Sequence, residues 1–414
     1  MEKMKLTKLE KAWILYDVGN SAFIMLVSTI IPIYFNHLAS TAGISEVDYL
    51  AYWGYAASVA TVIVAIIGPV LGTLADTEHF RKPIFILSMM VGVIGCAALS
   101  FPTSWIVFLA IFVIAKVGFN ASLIFYDAML VDITTEEKMD TVSSHGYAWG
   151  YIGSCIPFIA SLVVVLMNEQ LGLSMKMAMG IAFFLTAAWW FVVTIPLLKT
   201  YKQTNFVKMP ERPVRDSFAR LWKTLKDITK QKNIFLYLIA FFFFIDGVST
   251  IISMATAYGS SLGLDTTGLL LALLVTQIVA FPCALIFARF SKKYETELLI
   301  KVCIIAYTCI AIFAIQLDKQ WEFWLLAVCV GMFQGAIQAL ARSYYAKIIP
   351  AEKAGEYFGI YDIFGKGASF VGTTLVAVVA QITNRQNLGV AVIAVMFVIG
   401  YILFAKAAKL NRTK

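Results

Sequence analysis

Asp17, Lys116, Asp127, Asp246 and Arg342 each stand within a run of apolar residues long enough to cross a bilayer. A charge in such a run is costly, so it faces a cavity, a partner or a transported ion. The polar neighbours of these charges form stripes. Asp17, Asn20 and Ser21 fall at i, i+3 and i+4, on one face of a helix. Lys116, Asn120 and Asp127 share a second face, with the two charges about 16 Å apart along the axis. Asp246, Ser249, Thr250 and Ser253 make a third stripe, and Gln334, Gln338, Arg342 and Tyr345 a fourth. Asp246 lies ~20 Å into its run, near the midplane, and Lys116 and Lys366 stand at similar depth in theirs. An acid and a base at one depth suit a solute that carries both an ammonium and a carboxylate. Asp246 could also carry a proton, and the plainer alternative is a permanent salt bridge. The solute and coupling candidates are therefore Asp17, Asn20, Lys116, Asn120, Tyr126, Asp246, Thr250, Gln334, Gln338 and Lys366.

The elements that must position these residues are transmembrane helices. The chain has 414 residues, 60% of them hydrophobic and 14% charged. Apolar runs fall at roughly 13–38, 49–74, 83–100, 103–131, 142–167 and 175–198, then at 233–259, 266–290, 297–316, 321–347, 356–381 and 389–408. Hydrocarbon offers backbone polar groups no partner, so each span must be helical, and the alternating pattern of an outer-membrane barrel is absent. Lys and Arg gather in the even-numbered loops and at both ends of the chain. The odd loops hold only Lys176, Lys319 and Arg385. This bias puts both termini in the cytoplasm and accounts for the net charge of +8 as membrane topology rather than nucleic-acid binding. The expected class is an all-α membrane protein of twelve spans in two six-helix halves, 1–198 and 233–414.

Residues 199–232 join the halves as a basic cytoplasmic linker. Within it, Phe218, Leu221, Trp222, Leu225 and Ile228 recur at helical spacing among basic residues, the pattern of an amphipathic helix on a membrane surface. The halves resemble repeats. Adding 215 carries Glu137 to Glu352, Gly150 to Gly365 and Ser154 to Ser369, and a shift of 229 carries Asp17 to Asp246. Polar stripes mark spans 1, 4, 7 and 10, small residues mark 2, 5, 8 and 11, and spans 3, 6, 9 and 12 are nearly all apolar. The first set reads as lining a polar path, the second as packing the halves together, and the third as facing lipid. One chain holds a full path, so a monomer suffices.

Between spans 2 and 3 stands Gly72-Thr-Leu-Ala-Asp76, followed by Arg81-Lys82. This resembles the loop motif of the major facilitator superfamily, whose fold has the layout just described. The resemblance implies a cytoplasmic gate at Asp76, Arg81 and Lys82. The glycine and arginine usual between the acid and Arg81 are replaced by Thr77, Glu78, His79 and Phe80, and the matching loop between spans 8 and 9, Ala288 to Lys293, lacks the acid. By the 215 shift Asp127 and Arg342 are equivalents of opposite charge, read as an ion pair that closes the cytoplasmic side. Asp362 joins the gate set, although it stands at i, i+4 to Lys366 and the two could simply neutralise each other. A narrower resemblance covers nearly the whole chain. Trp13 to Phe23, Asp246-Gly247-Val248, Gln338 to Ser343 and Phe358 to Lys366 resemble the vacuole-effluxer-like family. Its fungal members are associated with releasing amino acids from the vacuole.

The resemblance implies a secondary transporter or uniporter of small zwitterionic solutes, amino acids first, of efflux type, working by alternating access in the cytoplasmic membrane of a prokaryote. Proton coupling stays open, and the alternative is a transporter of amphiphiles such as lysolipids or drugs. An enzyme is disfavoured. The sequence has no GxxxxGK, HExxH or GxSxG motif, its six cysteines lie in apolar runs without a CxxC pair, and no metal or cofactor is called for.

Overall fold

The computed structural model describes residues 5–208, 213–261 and 266–412. In chain order the helices are α1 (Lys8–Ser28), α2 (Ile30–Thr41), α3 (Glu46–Ala75), α4 (Arg81–Ala98), α5 (Trp105–Ala128), α6 (Leu130–Ile133), α7 (Glu136–Leu166), α8 (Met175–Thr200), α9 (Pro213–Lys230), α10 (Lys232–Ser261), α11 (Thr266–Phe290), α12 (Thr296–Ala314), α13 (Gln320–Ile348), α14 (Ala354–Thr383) and α15 (Gln386–Arg412). Among the described residues twelve segments are long and apolar enough to cross a membrane. The first combines α1 with α2, the fourth α5 with α6, and α9 is not among them.

The first span runs longer than the apolar run suggested, from Lys8 to Thr41, and breaks at Thr29 (φ −133°, ψ −71°). Pro32 explains the break, since it has no N–H to give the carbonyl of Ser28 and its ring crowds that carbonyl. The N-terminus of α1 is fixed by a reciprocal cap. The Thr7 side chain accepts from the Glu10 amide, and the Glu10 carboxylate accepts from the Thr7 amide at 2.7 Å.

Contacts group the chain into two units. Unit 1 comprises Met1–Thr134, Trp149–Val214 and Ala351–Gly359, and unit 2 comprises Thr135–Ala148, Arg215–Pro350 and Ile360–Lys414. In unit 1, α4 packs along α5 and α1 along α8. Gly118 makes the first contact possible, because a Cβ there would sit 2.4 Å from the Gly92 amide nitrogen. Trp190, Phe23 and Phe119 fill the space beside it, all buried. In unit 2, α10 packs along α15 and α11 along α13. Outward-facing apolar side chains recur at helical spacing on α4 (Leu87, Ile94), α8 (Ile181, Phe184), α12 (Leu298, Ile305, Ile312) and α15 (Val395, Val398, Ile402), as a lipid-facing surface requires. They recur on α3, α7 and α14 as well, at Ile66, Ile159 and Leu375 for example, so the apolar surface is wider than every third span.

The linker begins as a strap and continues as α9. Val207 forms an isolated parallel bridge with Thr77, its amide donating to the Asp76 carbonyl at 2.8 Å. Glu211 and the side chain of Phe218 lie outside the described residues.

Candidate solute site and gate residues

Asp246 is fully buried on α10. Its Oδ1 accepts from the Thr250 hydroxyl at 3.3 Å and from the Gly372 amide of α14 at 3.1 Å. Its Oδ2 is buried with no hydrogen-bond partner among the described residues. Only glycine at 372 permits this arrangement, since a Cβ there would stand 2.3 Å from both Asp246 Oδ1 and Thr250 Oγ1. Thr250 and Gln334 both line a cavity of about 320 Å³ in unit 2, whose walls are otherwise mainly apolar (Ile251, Leu273, Phe323, Val376, Ile393). Gln338 lies one turn beyond Gln334 on α13 and donates to its carbonyl at 3.2 Å. Thr250 and Gln334 thus share one cavity, and Asp246 stands behind its wall, joined to it through the Thr250 hydroxyl. Lys366 instead pairs with Asp362 along α14 at 2.5 Å, the i, i+4 neutralisation its spacing allows.

The unit 1 candidates are arranged differently. Asn20 donates to the Tyr16 carbonyl at 2.9 Å and reaches Asp17 Oδ1 at 3.4 Å, so these two share a surface. Asn120 is buried on α5, and Lys116 lies 5.7 Å from the Phe112 ring centroid. Tyr126 is buried in an aromatic cluster, stacked on Trp13 at 4.3 Å and against Tyr16 at 4.6 Å, while the Trp13 indole donates to its carbonyl. That position makes it a core residue of unit 1.

Three of the candidate gate residues, Asp76, Arg81 and Lys82, stand in one network at the basic-loop ends of α3 and α4. Asp76 follows the last residue of α3. Its two oxygens accept from the backbone amides of Gly355 (2.7 Å) and Glu356 (2.8 Å), capping the start of α14, and Oδ1 also accepts from Arg81 Nη2 at 2.6 Å. A carboxylate suits a helix N-terminus, where amides are unpaired and the dipole is positive. Burial pushes the Asp76 carboxyl above the usual range, while Arg81 and the two amides pull it back. The Gly-x-x-x-Asp spacing now has a cause. Gly72 lies one turn before Asp76 and faces the same segment, and a Cβ on it would fall 2.2 Å from the Gly355 carbonyl oxygen.

Arg81 also donates to Asp132 at 2.7 Å, and Asp132 is the hub that the sequence reading missed. It accepts from the Tyr201 hydroxyl at 2.5 Å, from the Thr204 amide and hydroxyl at 3.3 and 2.9 Å, and from the Asn205 amide and side chain at 2.8 and 3.0 Å. Lys82 Nζ donates to the Tyr201 carbonyl at 3.3 Å.

In unit 2 Arg342 donates to the Ser143 hydroxyl (3.0 Å) and carbonyl (3.2 Å) and stacks 4.5 Å from the Tyr147 ring centroid. Asp127 is half-buried on α5 of unit 1. A second missed hub, Asp140, accepts from Lys347 (2.7 Å), Thr296 (2.5 Å) and Ser343 (2.6 Å). The 215 shift could have found both hubs, because it carries Arg81 to Thr296, Asp132 to Lys347 and Asp140 to Gly355.

Against known proteins, the profile of the family described as "Vacuole effluxer Atg22 like" matches residues 7–414. The "Uncharacterized MFS-type transporter YxiO" of Bacillus subtilis (strain 168) is 41% identical over 406 residues, 97% of this chain and 95% of that protein. "Autophagy-related protein 22-1" of Aspergillus fumigatus is 23% identical over 292 residues, and the match spans 64% of this chain but only 47% of the fungal protein. Among solved structures, the outward-conformation crystal structure of the major facilitator transporter FucP superposes with a TM-score of 0.74 at 13% identity, covering 97% of each chain. The proton:xylose symporter XylE gives 0.69 at 11% identity, over 96% of this chain and 94% of its own. The protein is therefore a member of the vacuole effluxer Atg22 like family, a transporter built on the major facilitator fold of two pseudo-symmetric six-helix halves.

Proposed function

We propose that this transporter exports small zwitterionic solutes, amino acids first, by alternating access, with the basic loops in the cytoplasm of a prokaryote and with Asp246 as the group that takes the solute's ammonium. The supporting observation is the state of that carboxylate. It is desolvated in a membrane span, it forms no ion pair among the described residues, and one of its oxygens has no hydrogen-bond partner there. A buried carboxylate without a counter-charge is strongly disfavoured, so a cationic group or a proton completes it. If the two alternate at one oxygen, solute and proton exclude each other and the carrier works as an exchanger. Thr250, bonded to the carboxylate, and Gln334 supply polar contacts on the cavity wall, and the apolar cavity receives the remainder of the solute. The Asp76 cap on α14 serves as the gate contact, made when the cytoplasmic ends are closed and broken when they open.

The apolar walls favour one further reading, transport of an amphiphile whose chain fills the cavity while its cationic head meets Asp246. Counterflow into liposomes holding the purified protein separates the two. Accumulation of one or more radiolabelled amino acids supports the first. No accumulation across the panel, with saturable binding of a lysolipid, supports the second.

A further inference from the structure

The transport reading leaves α9 unused. Its last residue, Lys230, is separated from α10 by Gln231 alone, and the Gln231 amide closes the final turn by donating to the Asp227 and Ile228 carbonyls at 3.0 and 3.1 Å. The seventh span begins at the next residue, Lys232. The C-terminal end of α9 is therefore held at the membrane surface by covalent connection. A helix of 18 residues is about 27 Å long, so its orientation decides whether the rest of it touches the bilayer.

The faces of α9 decide it. Thr224 and Ile228 are buried on the inner side. Trp222 is 64% exposed and Leu225 37% exposed, on the outer arc. Lys223 and Lys226 are exposed on the same arc, and Lys226 Nζ lies 5.7 Å from the Trp222 ring centroid. A face meant for water has no need of a tryptophan and a leucine side by side. A face meant for protein would not leave two lysines exposed beside them. Trp, Leu and Lys together fit the headgroup layer, where the ring is half-wet, the leucine reaches acyl carbons and the ammoniums meet phosphates. The helix as a whole carries five basic residues, Arg215, Arg220, Lys223, Lys226 and Lys230, against Asp216 and Asp227, a balance complementary to an anionic leaflet.

We propose that α9 is an anionic-lipid-binding helix, with Trp222 and Leu225 inserted into the headgroup layer and Lys223 and Lys226 on lipid phosphates. Because α9 runs into α10 through a single residue, lipid composition then bears directly on the span that carries Asp246.

The test uses the full-length protein in phosphatidylcholine nanodiscs with increasing fractions of phosphatidylglycerol that carries brominated acyl chains, which quench nearby tryptophans. The protein has nine tryptophans, so the signal of interest is the difference between wild type and Trp222→Phe. That difference is expected to be quenched as brominated phosphatidylglycerol rises. Lys223→Gln and Lys226→Gln should each raise the fraction needed by about fivefold. An unquenched difference would overturn the insertion. Equal quenching by brominated phosphatidylcholine alone, unaffected by the lysine substitutions, would overturn the anionic preference.

Discussion

The two units fasten an incoming helix at the basic-loop ends with opposite charge patterns. In unit 1 the acid is on the receiving side, where Asp76 takes the backbone amides at the start of α14 while Arg81 ties it to Asp132. In unit 2 the acid is on the incoming helix, where Asp140 of α7 takes Lys347, Thr296 and Ser343. The contacts correspond under the 215 shift. The Arg81–Asp132 pair at 2.7 Å maps onto the Thr296–Lys347 pair at 3.0 Å, and Asp140 maps onto Gly355. What the repeat preserves is the place of contact, and which partner carries the charge is free to change. This explains why the loop between spans 8 and 9 lacks the expected acid: the acid stands on the other partner.

That comparison can be broken in several places. The largest effect is expected for Asp132→Ala, which leaves the buried Arg81 with one acid instead of two and strips five donors of the linker strap of their acceptor. Such a loss costs about 3–5 kcal/mol and should give the largest fall in melting temperature in detergent. Lys347→Met should cost less, about 1.5–3 kcal/mol, because Thr296 and Ser343 still serve Asp140 and the lysine is partly exposed. If polarity is free, the double exchange Asp140→Lys with Lys347→Asp should regain at least half of what Asp140→Lys loses. No recovery would show that the sign matters after all. Gly72→Ala forces a Cβ onto the Gly355 carbonyl and should cost about 1–3 kcal/mol, with transport slowed more than unfolding is hastened. Arg412→Ala, which removes an exposed partner from Glu295 and Glu297, should lower the melting temperature least of all.

Much of this fold was legible in the sequence because lipid imposes it. Apolar runs of about 20 residues have one structural solution, and the described residues hold twelve helical segments of that kind. The Gly72–Asp76 motif was legible because its glycine and acid stand one turn apart and face one segment. Asp132 and Asp140 were not, since an acid at the end of a span looks like an ordinary cap until the chain folds donors around it. The strap at Tyr201 to Asn205, read as plain linker, supplies most of those donors to Asp132. Tyr126, a candidate by its place on a polar span, packs against Trp13 and Tyr16, neighbours that its spacing does not show. Gly372 is, by sequence, one of the small residues of the eleventh span. Its use as an amide donor to Asp246 depends on α14 passing within hydrogen-bond distance of α10, which no local pattern reveals.

The central claim is that the Asp246 carboxylate carries the exchanged charge. The most direct test is solute-driven proton movement in proteoliposomes with a trapped pH dye, comparing wild type with Asp246→Asn, an isosteric change that keeps an acceptor for Thr250 and Gly372. Wild type should acidify or alkalinise the lumen as solute moves, and the variant should lose both the solute flux and the proton signal while remaining monodisperse. Undiminished solute flux in Asp246→Asn would contradict the claim and remove this carboxylate from the transport cycle.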